Sequence, residues 1–371
     1  PEIDEIQTIV NTIGTLDFSA ITTPVSAFLR NRQPDLDGFV TDFVTHANRS
    51  ITISSSLDNG GFDAIGVRGG SGNDTLVGGA STAELFGNAG DDTIDGGVNT
   101  FTIEGGADND TLTLFEGSFG TLDGGTGNDL LIGTSASESL FGGEGNDTLV
   151  GNGGADGLSG DAGDDTYVFK NVTAASDPID VLEGTSTGTD TLDFSLVTVP
   201  VRVNLFAPTI AFYGNQIVQG TGFENAIGGS NNDTVEGDSG DNSLVGGGGN
   251  DTLNGFAGND RYRGGLGNDL LIDGEGNDNL IGDEGNDTYR FPNALASQTD
   301  TIIEFGDATG IDVLDFSTTS NPVDINLNSE QAARQFNGAI ERNVVNIFND
   351  LPSRIENATG GSSQDSIIGS D

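Results

Sequence analysis

The chain has no cysteine, no methionine, a single histidine, and only 12 lysines and arginines against 58 aspartates and glutamates. Without cysteine there is no disulfide framework, no thiolate metal site and no cysteine nucleophile. The shortage of basic residues excludes nucleic acid as a partner, because no basic patch can neutralise phosphates, and it disfavours an anionic membrane surface. No apolar run approaches the ~20 residues of a membrane span, so membrane insertion is not expected. One imidazole, His46, cannot assemble a Ser-His-Asp or zinc constellation and reads as structural. The acidic start, PEIDEIQTIV, is not a signal peptide, and the lack of methionine is expected of a chain cut from something longer.

What the chain has instead is glycine, 59 of its 371 residues, about twice the usual share of roughly 7%. Hydrophobic residues make up 34% and the formal net charge is -46. That combination ordinarily leaves a chain disordered, since too little apolar surface is buried to offset chain entropy. Two escapes exist: a repetitive fold with a thin continuous core, or bound cations that cancel the carboxylates. From Gly69 the sequence falls into nines, GGSGNDTLV, GGASTAELF, GNAGDDTID, GGVNTFTIE and GGADNDTLT. A ten-residue unit occupies 114–123 and the nines then resume to Val168. Seven more run unbroken from Gly228 to Arg290, and another begins at Gly360. Positions 7–9 of each unit read as a short strand, with an inward position 8 that is apolar throughout, from Leu76 to Tyr167 and from Val235 to Tyr289.

These repeats divide the chain into the tail of a linker module at 1–68, block 1 at 69–169, a linker at 170–227, block 2 at 228–291, a linker at 292–359 and the start of a third block at 360–371. The linkers repeat as well. TYVF and TYRF end at Phe169 and Phe291, 122 residues apart, and at the same spacing DTLDFS around Phe194 matches DVLDFS around Phe316. PVRVNL from Pro200 likewise matches PVDINL from Pro322. Their alternating V-x-V-x-L reads as strand. Each linker runs into a glycine pair that restarts the register, so coils of the same solenoid are expected rather than separate domains.

The nonapeptide resembles the RTX, or hemolysin-type calcium-binding, repeat family, G-G-x-G-x-D-x-U-x with U apolar. The resemblance implies an all-β fold: a right-handed parallel β-roll or β-helix solenoid with two nonapeptides per 18-residue turn, calcium between unit n and unit n+2, and calcium-free linker coils. The residues suit that chemistry. Glycines at positions 1, 2 and 4 can take φ > 0 and turn carbonyls inward. Asp at position 6 adds a carboxylate, and oxygen donors without His or Cys suit Ca²⁺ better than zinc or copper.

In block 1, alternate units supply an unbroken series at position 6: Asp74, Asp92, Asp110, Asp129, Asp147 and Asp165. The intervening units offer Ala83, Phe101, an uncharged stretch near Phe119, Glu138 and only then Asp156. Block 1 is therefore expected to bind along one edge, with at most a site or two near Glu138 and Asp156, and with Phe101 and Phe119 covering the rest of the other edge. Block 2, with Asp233, Asn242, Asp251, Asp260, Asp269, Asp278 and Asp287, keeps ligands on both edges. Pairing alternate units gives roughly ten Ca²⁺ ions in all.

The expected function is that of a non-enzymatic, calcium-binding extracellular structural protein that folds on Ca²⁺ binding, a segment of a cell-surface adhesin, surface-layer or filament protein. The alternative is the calcium-dependent folding and secretion module of a type I secreted enzyme or toxin. Expected partners are calcium, further copies of the chain, or neighbouring modules. Ile132, Val150 and Val168 occupy the outward position 9 in three successive same-side turns. Such a stripe is expected to mark a contact surface, with the linker after Phe169 as its first occupant.

Overall fold

The computed structural model describes residues 16–17, 25–28, 39–46, 49–56, 65–78, 82–97, 100–171, 179–181, 188–214, 216–293, 297–304, 310–326, 331–337, 340–348 and 355–368. All regular structure among them is β-strand. The chain divides into two compact units, Pro1–Val168 with Val172–Gly188, and Phe169–Asn171 with Thr189–Asp371.

In the first unit, Thr75–Val77, Thr93–Asp95, Thr111–Thr113, Leu130–Ile132 and Thr148–Val150 form one parallel sheet. Their register sets Leu76 beside Ile94, Leu112, Leu131 and Leu149 in turn. The second sheet is Thr82–Ala89, Thr102–Ala107, Thr121–Thr126, Ser139–Glu144 and Gly157–Ala162, again parallel. Here Leu85 sits beside Ile103, Leu122, Leu140 and Leu158. Chain neighbours alternate between sheets, and paired residues lie 18 apart, so two nonapeptides make one turn of a β-roll. A strand of three residues cannot bury an apolar side chain alone. Stacked, these strands bury every position 8 of both blocks to 0–1% exposure, each such Leu contributing about 1.5–3 kcal/mol.

The ten-residue unit leaves both sheets in register. Asp95 pairs with Thr113 and Thr121 with Ser139, 18 apart, whereas Thr113 pairs with Ile132 and Thr102 with Thr121, 19 apart. The extra residue is thus confined to the turn between Leu114 and Gly120.

In both blocks, three-residue strands alternate with longer ones. The long strands run from position 7 through position 3 of the next unit, as in Thr121–Thr126 and Arg261–Leu266. In them Gly106, Gly125 and Gly143 align, as do Gly247 and Gly265. These position 2 glycines take the positive φ expected of them, as do position 4 glycines such as Gly145 and Gly267 but not Gly240, with +106° at Gly125 and +131° at Gly127. Position 1 differs from the expectation. Its glycines are not left-handed; they lack a side chain because a Cβ there would come within 3.0 Å of the position 6 Asp Oδ2 and of the next turn's glycine carbonyl, as at Gly87, Gly105 and Gly124. At Gly157 a Cβ would meet nothing within 4 Å.

The second unit repeats this design, with Ser243–Gly248, Arg261–Leu266 and Asn279–Glu284 in one sheet and Thr234–Glu236, Thr252–Asn254, Leu270–Ile272 and Thr288–Arg290 in the other. Its linker strands join the same sheets in parallel: Thr191–Leu196 beside Asn225–Ile227, Gln298–Glu304 beside Asn279–Glu284, and Asp312–Asp315 beside Thr288–Arg290. The linkers are therefore coils of the roll, as their unbroken run into glycine pairs suggested.

Each linker also contains an antiparallel excursion that the sequence pattern did not reveal. Val201–Asn204, Thr209–Tyr213 and Gln216–Gln219 pair antiparallel in succession, as do Val323–Asn326, Gln331–Asn337 and Ile340–Phe348. Val25–Phe28, Phe39–His46 and Arg49–Ser56 do the same in the first unit.

The repeated linker motifs have local causes. In D-F-S, Asp193 Oδ1 accepts the Ser195 N–H at 2.8 Å and Asp315 Oδ1 accepts the Ser317 N–H at 2.9 Å, an Asx turn. The intervening phenylalanine is then driven inward. Phe194 stacks on Phe169 at 4.5 Å and Phe316 on Phe291 at 5.0 Å, which pairs each D-F-S with the block-ending T-Y-x-F. In P-V-x-x-N-L, the N–H groups of Val201 and Val323 donate to Asp233 and Asp365 Oδ1, the first position 6 carboxylates of the blocks that follow.

Of the outward stripe, Val150 is buried and Ile132 and Val168 are half-buried. Within its expected cover, the linker after Phe169, residues 172–178 and 182–187 lie outside the described residues, as do the side chain of His46 and most of segment 1–68.

Candidate metal centres

Along one edge of the first unit, each position 6 Asp Oδ1 accepts the N–H of the Asp one turn earlier. Asp92, Asp110, Asp129, Asp147 and Asp165 accept from Asp74, Asp92, Asp110, Asp129 and Asp147 at 2.6–2.8 Å. One turn step thus brings together the alternate units whose pairing the sequence suggested. In the second unit Asp251, Asp269 and Asp287 accept in the same way on one edge, from Asp233, Asp251 and Asp269. On its other edge Asp260 and Asp278 accept from Asn242 and Asp260.

The second oxygen is the informative one. Oδ2 of Asp92, Asp110, Asp129, Asp147, Asp156, Asp251, Asp260, Asp269 and Asp287 is buried with no hydrogen-bond donor. At Asp92, Asp110, Asp129, Asp147, Asp251 and Asp269 it lies in a cradle shared with a backbone carbonyl, the one that a Cβ at position 1 would fill. At Gly105, for instance, the Cβ would strike both Asp110 Oδ2 and the Gly124 carbonyl oxygen. A buried carboxylate oxygen without a donor is costly, and a cradle of carboxylate and carbonyl oxygens fits a hard divalent cation such as Ca²⁺.

The protonation equilibria carry the same message. Burial, reinforced by neighbouring carboxylates, pushes Asp110 and Asp156 up to about 8, and Asp92, Asp147, Asp251, Asp260 and Asp287 to about 7. For Asp129 and Asp269, burial raises the value to about 6. Groups whose folded pKa exceeds the unfolded 3.8 favour the folded chain fully below that value and lose the contribution as pH rises through about 6 to 8. In chelator, acidification from about pH 8.5 to about pH 5 should therefore increase β structure by circular dichroism. Calcium affinity should fall over the same interval as protons compete. A metal-free chain that loses structure on acidification would contradict this assignment.

The other edge of the first unit is built differently. Its interior holds hydroxyls, with Thr100, Ser118 and Thr134 buried. The Thr134 hydroxyl lies 2.9 Å from the Ser118 carbonyl oxygen and 2.8 Å from Glu138 Oε1. Phe101 and Phe119 pack on each other at 5.6 Å but remain 47% and 59% exposed, so they lie over the edge without sealing it. Glu138 and Asp156 form its one rung of two carboxylates in block 1, the Glu138 N–H donating to Asp156 Oδ1 at 3.0 Å. Asn242 also departs from the Asp pattern: its Nδ2 donates to the Glu224 carbonyl at 3.0 Å, an amide placed where a carbonyl would otherwise face a cation.

Sequence reasoning missed the extension of both ladders into the linker. Asp300 Oδ1 accepts from the Asp278 N–H at 3.3 Å, and Asp312 Oδ1 from the Asp287 N–H at 2.8 Å. The linker coils expected to be calcium-free thus carry carboxylates in ladder position. The signal was present as Asp-x-apolar, Asp300-Thr-Ile302 and Asp312-Val-Leu314, stripped of the glycine pair that flags it elsewhere.

A family model described as RTX calcium-binding nonapeptide repeat (4 copies) matches residues 68–100, 102–118, 120–135, 132–167, 218–253, 227–260 and 254–289. A second, described as Peptidase M10 serralysin C terminal, matches 276–371. No curated protein matches the chain. Among solved structures it is similar to a hyperactive, Ca²⁺-dependent, β-helical antifreeze protein from an Antarctic bacterium, at 18% identity and a TM-score of 0.28, over 70% of this chain and 86% of that one. It is also similar to the extracellular lipase LipA from Serratia marcescens, at 16% identity and a TM-score of 0.22, over 68% of this chain and 45% of that one. The carboxylate ladders of both blocks lie within these matched stretches, and through its repeats at 68–167 and 218–289 the chain belongs to the RTX calcium-binding nonapeptide repeat family.

Proposed function

We propose that the chain is a calcium-folded structural module of a secreted protein, and that its role is mechanical support, not catalysis. The observation that carries this reading is the stack of buried, donorless Asp Oδ2 atoms beside backbone carbonyls on successive turns, at Asp92, Asp110, Asp129 and Asp147 and again at Asp251 and Asp269. Modules of this kind typically bind calcium at ~10⁻⁴–10⁻³ M, a level met outside cells, so the chain stays unfolded until exported. The ligands proposed are Asp74, Asp92, Asp110, Asp129, Asp147 and Asp165 on one edge of block 1, Glu138 and Asp156 on the other, and the position 6 residues of block 2. Recurrence of block, D-F-S coil and antiparallel excursion as a whole module favours an extended scaffold, such as an adhesin, surface layer or filament. A second reading, the folding and export module of a secreted enzyme or toxin, is favoured by the match of 276–371 to a serralysin C-terminal domain.

Anomalous diffraction from calcium-grown crystals tests the common part. Ions are expected in a row along the Asp74–Asp165 edge, with at most two on the opposite edge of block 1, and on both edges of block 2. Equal occupancy of the two edges of block 1, or no ions, would overturn the assignment. Sequencing the gene on both sides then separates the readings: further modules support the scaffold, and an adjoining catalytic domain supports the second.

A further inference from the structure

Between Gly69 and Phe169 the chain carries no lysine, arginine or histidine. Yet the edge of the first unit that has lost the aspartate series turns three phenylalanines to solvent. Phe101 stands at position 6, where the opposite edge carries aspartate, and Phe115 and Phe119 lie in the ten-residue unit that follows on the same edge. Their surfaces are 47%, 48% and 59% exposed. At roughly 200 Å² for a phenylalanine, the three present about 300 Å² of apolar surface, a size at which a patch on a single chain is often functional.

Folding does not account for these rings. The core at this level is Ile103, Leu114 and Leu122, and the edge itself is filled by Thr100, Ser118 and Thr134, all buried. The rings sit on ordered backbone: the Thr121 N–H donates to the Phe101 carbonyl at 2.8 Å and the Ser118 N–H to that of Phe115 at 2.9 Å. A surface held in this way loses little freedom when it is covered. Charge then limits what covers it. Glu116, between Phe115 and Phe119, and Glu104, three residues beyond Phe101, are both exposed. A second copy of the chain would bring another net charge of -46 and be repelled. The first unit also shows which group suits an outward phenylalanine. Arg68, on the strand paired with that of Phe86, sets its guanidinium 3.7 Å from the centre of the Phe86 ring, and Phe86 is half-buried. Block 1 has no cation of its own to do the same for Phe101, Phe115 and Phe119.

We propose that Phe101, Phe115 and Phe119 form a docking surface for a cationic amphipathic segment of another protein. Apolar side chains of that segment cover the rings, while its arginines or lysines lie on the ring faces and pair with Glu104 and Glu116. The inference goes beyond the calcium reading: it gives the module a partner along the edge without the aspartate series, and it requires only the folded roll.

The test uses the intact chain in saturating calcium and a labelled synthetic peptide, an amphipathic helix of leucine and arginine. Binding is followed by fluorescence anisotropy at ~150 mM salt, where the field of distant charges is screened beyond ~8 Å. Phe101→Ser, Phe115→Ser and Phe119→Ser together leave the charge unchanged and should weaken binding by roughly tenfold or more. Phe212→Ser, which removes a similarly exposed ring from the second unit, should leave it unaltered. Replacing the peptide's leucines by serine should cost as much as the triple variant does. Circular dichroism checks that each variant folds, and Glu104→Lys with Glu116→Lys, which keeps the rings, should also weaken binding and gives an independent reading. Equal affinity of the parent and the triple variant, or an equal loss on Phe212→Ser, would mean attraction by bulk charge alone and would overturn the docking surface, leaving the carboxylate ladders untouched.

Discussion

Held in excess chelator at neutral pH, the chain should lose most of its β signal and its cooperative melting, and millimolar calcium should restore both. The formal charge of -46 is concentrated where side chains stack, with Asp92, Asp110, Asp129 and Asp147 buried on successive turns of one edge. A site of Kd ~0.1 mM contributes ~1.4 kcal/mol at ~1 mM Ca²⁺ by mass action. About ten such sites would supply about 14 kcal/mol, as large as the entire net stability of a typical domain, about 5–15 kcal/mol. Without the cations little net stability remains and the stacked carboxylates repel one another. Circular dichroism and calorimetry with and without chelator decide it, and an unchanged spectrum and melting temperature would refute the dependence.

Gly124→Ala should be among the most damaging single substitutions in block 1, and Gly157→Ala among the most benign. The first puts a Cβ within 3.0 Å of Asp129 Oδ2 and of the Gly142 carbonyl oxygen, two atoms of the proposed cradle. Neither can retreat without opening the rung to Asp147. A loss of about 3–5 kcal/mol is expected, the range of the named severe mechanisms, which corresponds to a melting temperature lower by about 10 °C. At Gly157 a Cβ meets nothing within 4 Å and the backbone is ordinary strand. Alanine there should be neutral or stabilising by about 0.4–1 kcal/mol through the unfolded chain. Melting both variants in saturating calcium is the comparison. Equal stability of the two would mean that position 1 is glycine for some reason other than crowding at the carboxylate.

Much of this was legible in the sequence because the fold is periodic and its period is written in two independent signals. Apolar position 8 located the continuous stripe of core residues in both blocks, and the loss of Asp at alternate units of block 1 agreed with the two-nines turn that the resemblance implied. What escaped lay where one signal was missing. Asp300 and Asp312 extend the ladders without a glycine pair, because a linker coil reaches the same edge by a longer path and does not need the tight turn. The antiparallel excursions were invisible because alternation of apolar residues is the same for either strand direction. The role of position 1 was also hidden: a glycine required for space and one required for positive φ look alike until the neighbouring Asp oxygen is in view. Phe101 and Phe119 were assigned to closing an edge that buried hydroxyls of Thr100, Ser118 and Thr134 fill instead, a substitution of polar for apolar filling that composition alone does not disclose.

The turn between Leu114 and Gly120 offers a practical opening. It already carries one residue more than its counterparts, yet the strands on either side keep their partners. Gly117 at its tip has φ +81° and open space around it, and Phe115 and Phe119 point largely to solvent. Doubling the length of a flexible loop adds only about 0.6 kcal/mol of closure entropy. A foreign peptide grafted at Gly117 should therefore be displayed without disturbing the roll, and a library of inserts there could be selected under calcium and released by its withdrawal, making the module a carrier whose cargo is presented only while the metal is present.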